Sequence, residues 1–366
     1  MSPRPVTIRD LAAATGYSIA TISLALRNHP RISKATREKI LAISRQLGYR
    51  ANPMMAAHWE TVRGRRVPSF QSVIAILTDW ETSPRMASNP WIRPAFQAMG
   101  DRANRLGYKT EEFSLTAPEW KSASCPHRAC LESLKARGIY AIINMLPAHP
   151  AKWSETPRLF SDFATAIVCL ESNYIEHSMS GLRRVPFHRA NPDHYGNMLI
   201  LLEELQRLGY RRPGFWPNTW DEARFGGEAT AAFNFWIQSL PPKDRLPVQW
   251  TKWKIDPPLA QMKKQFLQWL PKARPDVVIC QMFEVREWIE EAGFAIPDEI
   301  GLAHTHLGPP EAGWTGIDSR LPEIASTAVD IVTSDLQRNE RGLPNIAKDV
   351  RIVGQWIPGK TTLGGK

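Results

Sequence analysis

The stretch that decides the fold of the N-terminal part of this chain lies at residues 6–53 and reads VTIRDLAAATGYSIATISLALRNHPRISKATREKILAISRQLGYRANP. Three hydroxyl residues stand just before apolar stretches of helical spacing, where a side-chain oxygen can accept a backbone N–H of the first turn: Thr7, Ser18 and Ser33. The pattern predicts three short helices around one small core, formed by Ile8, Leu11, Ala12, Ile22, Ala25, Leu26, Ile40, Ile43 and Leu47.

The first two predicted helices are joined by only three residues, 16–18, of which the first is a glycine. The second helix is expected over 19–27 and the third over 34–47, where Gly48 ends it. A helix, a tight turn containing glycine and a second helix are typical of helix-turn-helix proteins. In that arrangement the second helix enters the major groove of DNA with its N-terminal residues leading.

The positive charge of the chain is concentrated at its beginning. The 366 residues include 46 Lys and Arg against 36 Asp and Glu, a formal charge of +10. Residues 1–66 hold 12 basic and 3 acidic side chains and therefore carry +9 of that charge. A small basic module attached to a nearly neutral body indicates a head that binds a polyanion.

Composition excludes several classes of protein. With 43% hydrophobic and 22% charged residues, the chain has the balance of a globular protein with two or three compact units. Its four cysteines are too few for a disulfide framework, and no apolar run approaches the roughly 18 residues of a membrane helix. The first residues have no apolar signal core. We therefore expect a cytoplasmic protein without a membrane partner.

From about residue 72 onward, short apolar runs alternate with amphipathic stretches. Strands are predicted near 73–77, 138–143, 164–170, 213–216, 275–280 and 300–304, and helices near 94–106, 195–208 and before 293. Strands that alternate with helices predict a parallel α/β sheet covered on both faces. No glycine-rich phosphate fingerprint follows any of these strands, so the sequence does not favour a dinucleotide-binding fold.

The N-terminal stretch resembles the headpiece of the LacI/GalR family of bacterial repressors at nearly every patterned position. Later stretches resemble that family's type I periplasmic-binding-protein-like effector domain, in the expected order: 105–108 (RLGY), 193–196 (DHYG), 208–212 (LGYRR), 275–278 (PDVV) and 293–301 (GFAIPDEIG). The resemblance implies a homodimer whose chain has a helix-turn-helix headpiece over 1–50, a hinge helix and basic linker over 51–70, and an effector-binding and dimerisation domain over 71–366. That domain would be an α/β structure of two doubly wound subdomains, joined by crossings near residues 188, 318 and 345.

The same resemblance assigns DNA contacts in the headpiece. Base-reading positions of the family are occupied by Ile19, Ala20 and Leu24, and positions that contact or frame phosphates by Thr7, Ser18, Thr21, Ser23 and Asn28. The three base-reading side chains are apolar, so they can contact thymine methyl groups but cannot make bidentate hydrogen bonds to purines. Specificity must then depend on DNA shape, backbone contacts or the hinge.

Residues 49–59 (YRANPMMAAHW) resemble the family's hinge segment, which folds into a helix on operator DNA and inserts a leucine into the minor groove. His58 occupies the position of that leucine, with Trp59 beside it, and a flat ring can wedge a base step because it replaces the lost stacking. Asn52 and Met55 are the other implied DNA-binding residues of this segment. The residues that follow, 63–69 (RGRRVPS), are predicted to form a basic linker close to phosphate.

Ligands of open α/β sheets bind beyond the carboxyl ends of the strands. Those ends place a set of side chains near the expected cleft: Asp79, Trp80, Asn144, Met145, Trp216, Gln281, Met282, Phe283, His304 and His306. The resemblance adds Asp193 and also Arg224, which lies close to the arginine that grips the effector in the family. Trp80 and Trp216 are the predicted stacking faces for a sugar ring, because each follows a strand on the cleft side.

Two departures from the family's effector site leave two hypotheses open. Met282 and Phe283 stand near the place of an expected Asn-Asp pair, and His306 stands where an acid is expected. The first hypothesis is a repressor that binds a pseudo-palindromic operator as a homodimer and responds to a carbohydrate-like effector. The second is a DNA-binding regulator whose large domain serves dimerisation and protein docking without a small-molecule effector.

The sequence offers little for catalysis or metal binding. Cys125, His127 and Cys130 lie within six residues, but structural zinc takes four ligands and no second cluster follows, so we interpret the two cysteines as loop residues. Cys280 ends an apolar strand and is expected to be a small buried hydrophobic residue. We therefore expect a protein that is not an enzyme, with no cofactor and no bound metal. A third hypothesis, an enzyme that uses its headpiece only for localisation on DNA, would need a nucleophile, a base and an oxyanion site that converge in the cleft.

Overall fold

The computed structural model describes residues 8–26, 32–47, 72–78, 92–145 apart from 116, 122 and 124, 160–168, 174–175, 183–184, 187–218, 222, 226–249, 258–308 and 313–364. The first of these ranges form three helices, α1 (Ile8–Thr15), α2 (Ile19–Leu26) and α3 (Lys34–Gln46). They confirm the predicted helices and the three-residue turn.

A small apolar core holds the three helices together. Leu11, Ile22, Ala25 and Ile40 are fully buried in it. Two of the predicted capping residues act as caps: Ser18 Oγ accepts the N–H of Thr21 at 3.1 Å, and Ser33 Oγ accepts the N–H of Thr36 at 3.2 Å. The prediction that Leu47 belongs to this core was wrong, because it follows the end of α3 and its side chain is 39% exposed.

The next part of the chain builds a six-stranded sheet. Its strands are β1 (Ser72–Thr78), β2 (Tyr108–Ser114), β3 (Ala141–Asn144), β4 (Ala164–Val168), β7 (His188–Pro192) and β12 (Asp349–Ile352), and the two-residue strands β5 (Tyr174–Ile175) and β6 (Arg183–Arg184) pair separately. The order across the sheet is β12-β7-β4-β3-β1-β2, and every neighbouring pair is parallel. Helices of this part are α4 (Arg93–Arg105), α5 (Pro118–Lys121), α6 (Pro126–Ala136) and, late in the chain, α11 (Leu321–Arg338). We call this unit the first lobe.

The second lobe contains a five-stranded sheet in the order β13-β11-β10-β9-β8. Its strands are β8 (Pro213–Trp216), β9 (Val277–Cys280), β10 (Gly301–Leu307), β11 (Thr315–Asp318) and β13 (Gln355–Ile357). All pairs are parallel except β11 with β13. Its helices are α7 (His194–Arg207), α8 (Glu228–Trp236), α9 (Leu259–Ala273) and α10 (Val285–Glu291).

Alternate residues of the central strands face opposite sides of each sheet, where separate cores cover them. In the first lobe Ile74 and Ile76 join one apolar cluster and Ala75 and Leu77 join another. In the second lobe, neighbouring residues of β9 divide between two clusters in the same way. The predicted class is therefore confirmed: a small helical headpiece is followed by an α/β structure of two doubly wound units.

The chain passes between the two sheets three times. It does so after β7, at residues 192–194, after β11, at residues 318–321, and between β12 and β13, at residues 352–355. The first and third of these passages lie a few residues beyond the expected positions 188 and 345.

One prediction about the cysteines was wrong. Cys130 is not a loop residue, because it lies within α6 and is fully buried against the first sheet, where burial raises the pKa of its thiol to about 12. Cys280 is fully buried at the end of β9, as expected, and burial raises its pKa to about 12 as well. Among the described residues, no three His, Cys, Asp or Glu side chains lie close enough to hold a metal ion. No helix in the described ranges is both long and apolar enough to span a membrane.

Candidate functional site

The start of α2 presents side chains to solvent instead of to the headpiece core. Ser18 is exposed, and Ile19 is 45% exposed although it is a large apolar residue at the first position of the helix. Thr21 and Leu24 are half-buried on the same helix, whereas Ile22 lies in the core. The side chains of Ala20 and Ser23 are outside the described part of the molecule.

The cap of α2 also forms a small polar surface. Ser18 Oγ and Thr21 Oγ1 lie 2.9 Å apart in a hydrogen bond, next to the N–H groups of the first turn. Unpaired N–H groups and the helix dipole make such an end favourable for an anionic oxygen. Of the predicted DNA-binding residues, Thr7, Asn28, Asn52, Met55, His58 and Trp59 fall outside the described residues and stay predictions.

At the cleft edge of the first lobe, the predicted side chain is buried. Asn144 ends β3 and is completely inaccessible, as is Thr78 at the end of β1, whose hydroxyl donates to Glu112 at 3.1 Å. Met145, which follows Asn144, is 3% exposed. Asp79 and Trp80 lie outside the described residues.

The structure corrects the expected role of Trp216. Its side chain is 1% exposed and packs in the second lobe, with its ring centroid 5.1 Å from that of Phe266 and 5.3 Å from that of Trp269. All four residues of β8 are buried, so the strand end does not turn the indole outward. Trp216 therefore offers no free face for stacking on a sugar.

A buried carboxylate, which sequence reasoning missed, organises the strand ends of the second lobe. Glu222 is fully buried, and its Oε1 accepts a hydrogen bond from Gln281 Nε2 at 2.6 Å, while its Oε2 accepts the N–H of Thr230 at 3.0 Å. Gln281 Oε1 in turn accepts the N–H of Asn218 at 2.8 Å. Burial raises the pKa of Glu222, and the hydrogen bonds from Thr230 and Gln281 act against that rise.

A cluster of rings lies at the ends of β9 and β10. Phe283 stacks on His304 with centroids 4.2 Å apart and planes 5° apart, and Trp314 meets both rings edge to face. His304 Nδ1 accepts the N–H of His306 at 3.2 Å. Burial, followed by the neighbouring His306, holds the pKa of His304 well below its usual value, so its imidazole is neutral at pH 7.

Several other predicted cleft residues have a definite place. Met282, Phe283 and His306 are half-buried at the strand ends, with Met282 packed against the apolar cluster that contains Trp216. Asp193 caps α7, because its Oδ1 accepts the N–H of Gly196 at 3.0 Å. The structure thus brings together Gln281, Met282, Phe283, His304 and His306, but it places Asp193 at the first passage between lobes. Arg224 lies outside the described residues.

Comparison with known proteins gives a family match for the N-terminal residues and a fold match for almost the whole chain. The family described as "Bacterial regulatory proteins, lacI family" matches residues 7–52. The HTH-type transcriptional regulator DegA of Bacillus subtilis is 31% identical over 103 residues, which are 28% of this chain and 26% of DegA. The match thus spans about a quarter of that relative's length.

Two solved structures share the fold over almost the whole chain. One is a lac repressor dimer bound to operator and the anti-inducer ONPF, with a TM-score of 0.55 at 16% identity, covering 99% of this chain and 100% of that one. The other is the transcriptional regulator CelR in complex with cellobiose, with a TM-score of 0.55 at 13% identity, covering 98% of this chain and 100% of that one.

Proposed function

We propose that this chain is a sequence-specific DNA-binding transcription regulator of the lacI family that acts as a repressor, because residues 7–52 match the model of that family and the whole chain shares the fold of a lac repressor. It binds a pseudo-palindromic operator as a homodimer, and a small carbohydrate-like effector in the cleft between the lobes controls it. Residues 1–50 form the DNA-binding headpiece, 51–70 the hinge and linker, and 71–366 the effector-binding and dimerisation domain. It acts without catalysis, cofactor or metal.

The observation that carries the proposal is the exposed apolar start of α2. Ile19 stands outside the core, at the end of the helix that leads into the major groove. Burying this exposed isoleucine against a thymine methyl group lowers the free energy of the protein–DNA complex. The Ser18 and Thr21 hydroxyls beside it suit a phosphate oxygen. A two-fold dimer repeats these contacts on a second half-site, which requires a pseudo-palindrome.

Control by an effector follows from the two-lobed architecture. A ligand that contacts both lobes favours the arrangement it fits, and so shifts the population of DNA-competent dimers. The lac repressor and CelR structures, which share this fold, contain the anti-inducer ONPF and cellobiose respectively. These ligands support a carbohydrate-like effector for the cleft of this chain.

Selection of bound sites from a random double-stranded DNA pool tests the DNA-binding proposal. We expect an enriched pseudo-palindrome whose affinity falls steeply as salt rises, because basic headpiece residues displace counterions from phosphate. The central step of that motif shows whether His58 or Trp59 replaces the leucine wedge. A pool without any enriched motif, or affinity that stays constant over a tenfold range of salt, would contradict the proposal.

The buried state of two expected ligand contacts favours a second candidate, a regulator whose large domain docks a protein and takes no small molecule. Trp216 is enclosed in the core, and Gln281 uses both ends of its amide within the second lobe. Thermal unfolding in the presence of a panel of sugars separates the two candidates, since a ligand of the native state must raise the melting temperature. Stabilisation by one sugar supports the effector, and no stabilisation by any sugar supports docking.

A further inference from the structure

A cluster of charged side chains joins the two lobes next to the passages between them. Arg351 lies on β12 of the first lobe and donates through its two terminal nitrogens to both carboxylate oxygens of Glu228, at 2.9 and 2.8 Å. Glu228 is the first residue of α8 in the second lobe. Two further carboxylates approach the same guanidinium, Asp193 at 3.9 Å and Asp349 at 3.7 Å.

The Arg351–Glu228 contact is stronger than an ordinary surface ion pair. Its two parallel hydrogen bonds fix both the distance and the orientation of the planar groups. The Glu228 side chain is only 23% exposed and that of Arg351 38%. Burial raises the pKa of the Glu228 carboxyl, and the adjacent guanidinium opposes that rise, so loss of Arg351 would leave a partly desolvated acid without this partner.

Glu228 is also tied to the strand ends of the second lobe, where the candidate cleft residues lie. Glu222 accepts a hydrogen bond from Gln281, which directly follows β9, and another from the N–H of Thr230 in the first turn of α8. We call these two hydrogen bonds the Glu222–Gln281 network. The start of α8 is therefore bound on one side to the end of β9 and, through Glu228, on the other side to the first lobe.

We propose that Arg351 is a positioning residue that couples the Glu222–Gln281 network of the second lobe to the first lobe, with the Arg351–Glu228 pair closed in one arrangement of the lobes and open in the other. The inference rests on the proposed effector control of this protein. Arg351 and Glu228 stand on opposite lobes, so a rotation about the passages changes their separation. Because the two hydrogen bonds are lost within a small displacement, the contact acts as a two-state element that both sites bias.

Single-molecule energy transfer between dyes on the two lobes of the full-length protein tests the coupling. The dyes are attached through unnatural amino acids at two exposed positions, Glu132 on α6 and Lys264 on α9. We expect Arg351→Gln and Glu228→Gln each to shift or broaden the distribution of transfer efficiency, and the double variant to add no further change. Arg351→Lys, which keeps the positive charge between the carboxylates but cannot make the two parallel hydrogen bonds, should restore the narrower distribution only in part. Operator affinity should change at least threefold in each single variant.

A matched control is Arg207→Gln, because the Arg207–Glu204 ion pair is also close, at 2.7 Å, but lies within one helix of the second lobe. It should leave the distribution unchanged. If Arg351→Gln behaves like this control, the coupling is overturned, even when the operator is still bound. Failure of the proposed function appears elsewhere, as the absence of an enriched DNA motif, because the dye measurement needs neither DNA nor an effector.

Discussion

His188 Nε2 lies 3.5 Å from Asp335 Oδ2 in the interior of the first lobe, with both side chains nearly inaccessible to solvent. The other ring nitrogen, Nδ1, accepts the N–H of Lys348 at 3.0 Å, so the proton of the neutral imidazole is on Nε2 and faces the carboxylate. Asp335 also accepts a hydrogen bond from Arg338 Nη2 at 2.5 Å. The pair joins the first residue of β7 to the end of α11 and to the residues before β12.

This arrangement predicts a loss of stability in mild acid. Burial lowers the pKa of His188, so the unfolded chain takes up a proton near pH 6.5 while the folded chain resists it. The free energy of unfolding should therefore fall as the pH drops below 6.5, by up to about 1.4 kcal/mol per pH unit from this residue. Urea unfolding at pH 7.5 and 5.5 should show a smaller acid loss for His188→Gln than for the wild type.

The effect of Asp335 on stability has the opposite dependence on pH. Burial raises its pKa, so its contribution declines as the pH rises from 3.8 through the raised value. Because Asp335 is present in both wild type and His188→Gln, the difference between their acid losses reports the imidazole. An acid loss of the same size in wild type and His188→Gln would show that this imidazole is not held neutral.

The helices and buried strands could be read from the sequence because each has a local signal. The apolar run that ends at Cys280 and the PGFW strand that ends at Trp216 form where expected, since consecutive apolar residues need cover on both faces of a sheet. The strand β2, with the sequence YKTEEFS, was not predicted. It lies at the edge of its sheet, where polar residues are tolerated.

The candidate cleft was less predictable, because its contacts join residues far apart in the chain. Glu222 and Gln281 are 59 residues apart, and no local pattern indicates that the Glu222 carboxylate accepts a hydrogen bond from the Gln281 amide. The direction of Trp216 likewise depends on Phe266 and Trp269, which fill the space around its indole. Sequence periodicity places residues at a strand end, but tertiary packing decides which of them solvent can reach.

Two isoleucines of α2 separate DNA recognition from folding. Ile19 is 45% exposed and Ile22 is fully buried, although they are three residues apart on one short helix. Ile19→Ala should weaken binding to the selected operator about tenfold, because it removes the apolar contact to the bases, while the headpiece keeps its melting temperature. Ile22→Ala should instead destabilise the headpiece by about 2–4 kcal/mol, because it leaves a cavity in the core. Affinity titrations and thermal unfolding of both variants check this.

Equal loss of affinity and stability in the two variants would contradict the assignment of Ile19 to the DNA-facing surface. The salt dependence gives an independent control. Because neither isoleucine touches phosphate through a charge, the slope of affinity against salt should be the same in Ile19→Ala and wild type.

Two glycines predict opposite effects of the same substitution. A Cβ on Gly316 would lie 2.3 Å from the backbone carbonyl oxygen of His304, which the pairing of β10 with β11 holds in place. Gly316→Ala should therefore destabilise the second lobe by more than about 2 kcal/mol.

A Cβ on Gly100, inside α4, would make only an ordinary contact at 3.5 Å with Thr110 Oγ1. Gly100→Ala should stabilise the first lobe by up to about 1 kcal/mol. Urea unfolding of both variants measures the difference in sign, and a stable Gly316→Ala would mean that β11 can shift.

The buried carboxylate of Glu222 predicts a stability change with its own pH dependence. In Glu222→Gln an amide NH₂ replaces one carboxylate oxygen and faces either Gln281 Nε2 or the N–H of Thr230, so one buried donor loses its acceptor, at a cost of about 1–3 kcal/mol. Because burial raises the pKa of Glu222, the wild-type free energy of unfolding falls as the pH rises from 4.5 through that raised value, and the glutamine variant lacks this fall.

The gap in stability between wild type and Glu222→Gln should consequently narrow as the pH rises through this window and become constant above it. Urea unfolding at intervals from pH 4.5 to 7.5 measures the gap, with Glu203→Gln on the exposed face of α7 as the control that should follow the wild type. A gap that does not vary with pH would show that Glu222 ionises as easily in the folded chain as in the unfolded one. The hydrogen bonds from Gln281 and Thr230 would then fully offset its burial.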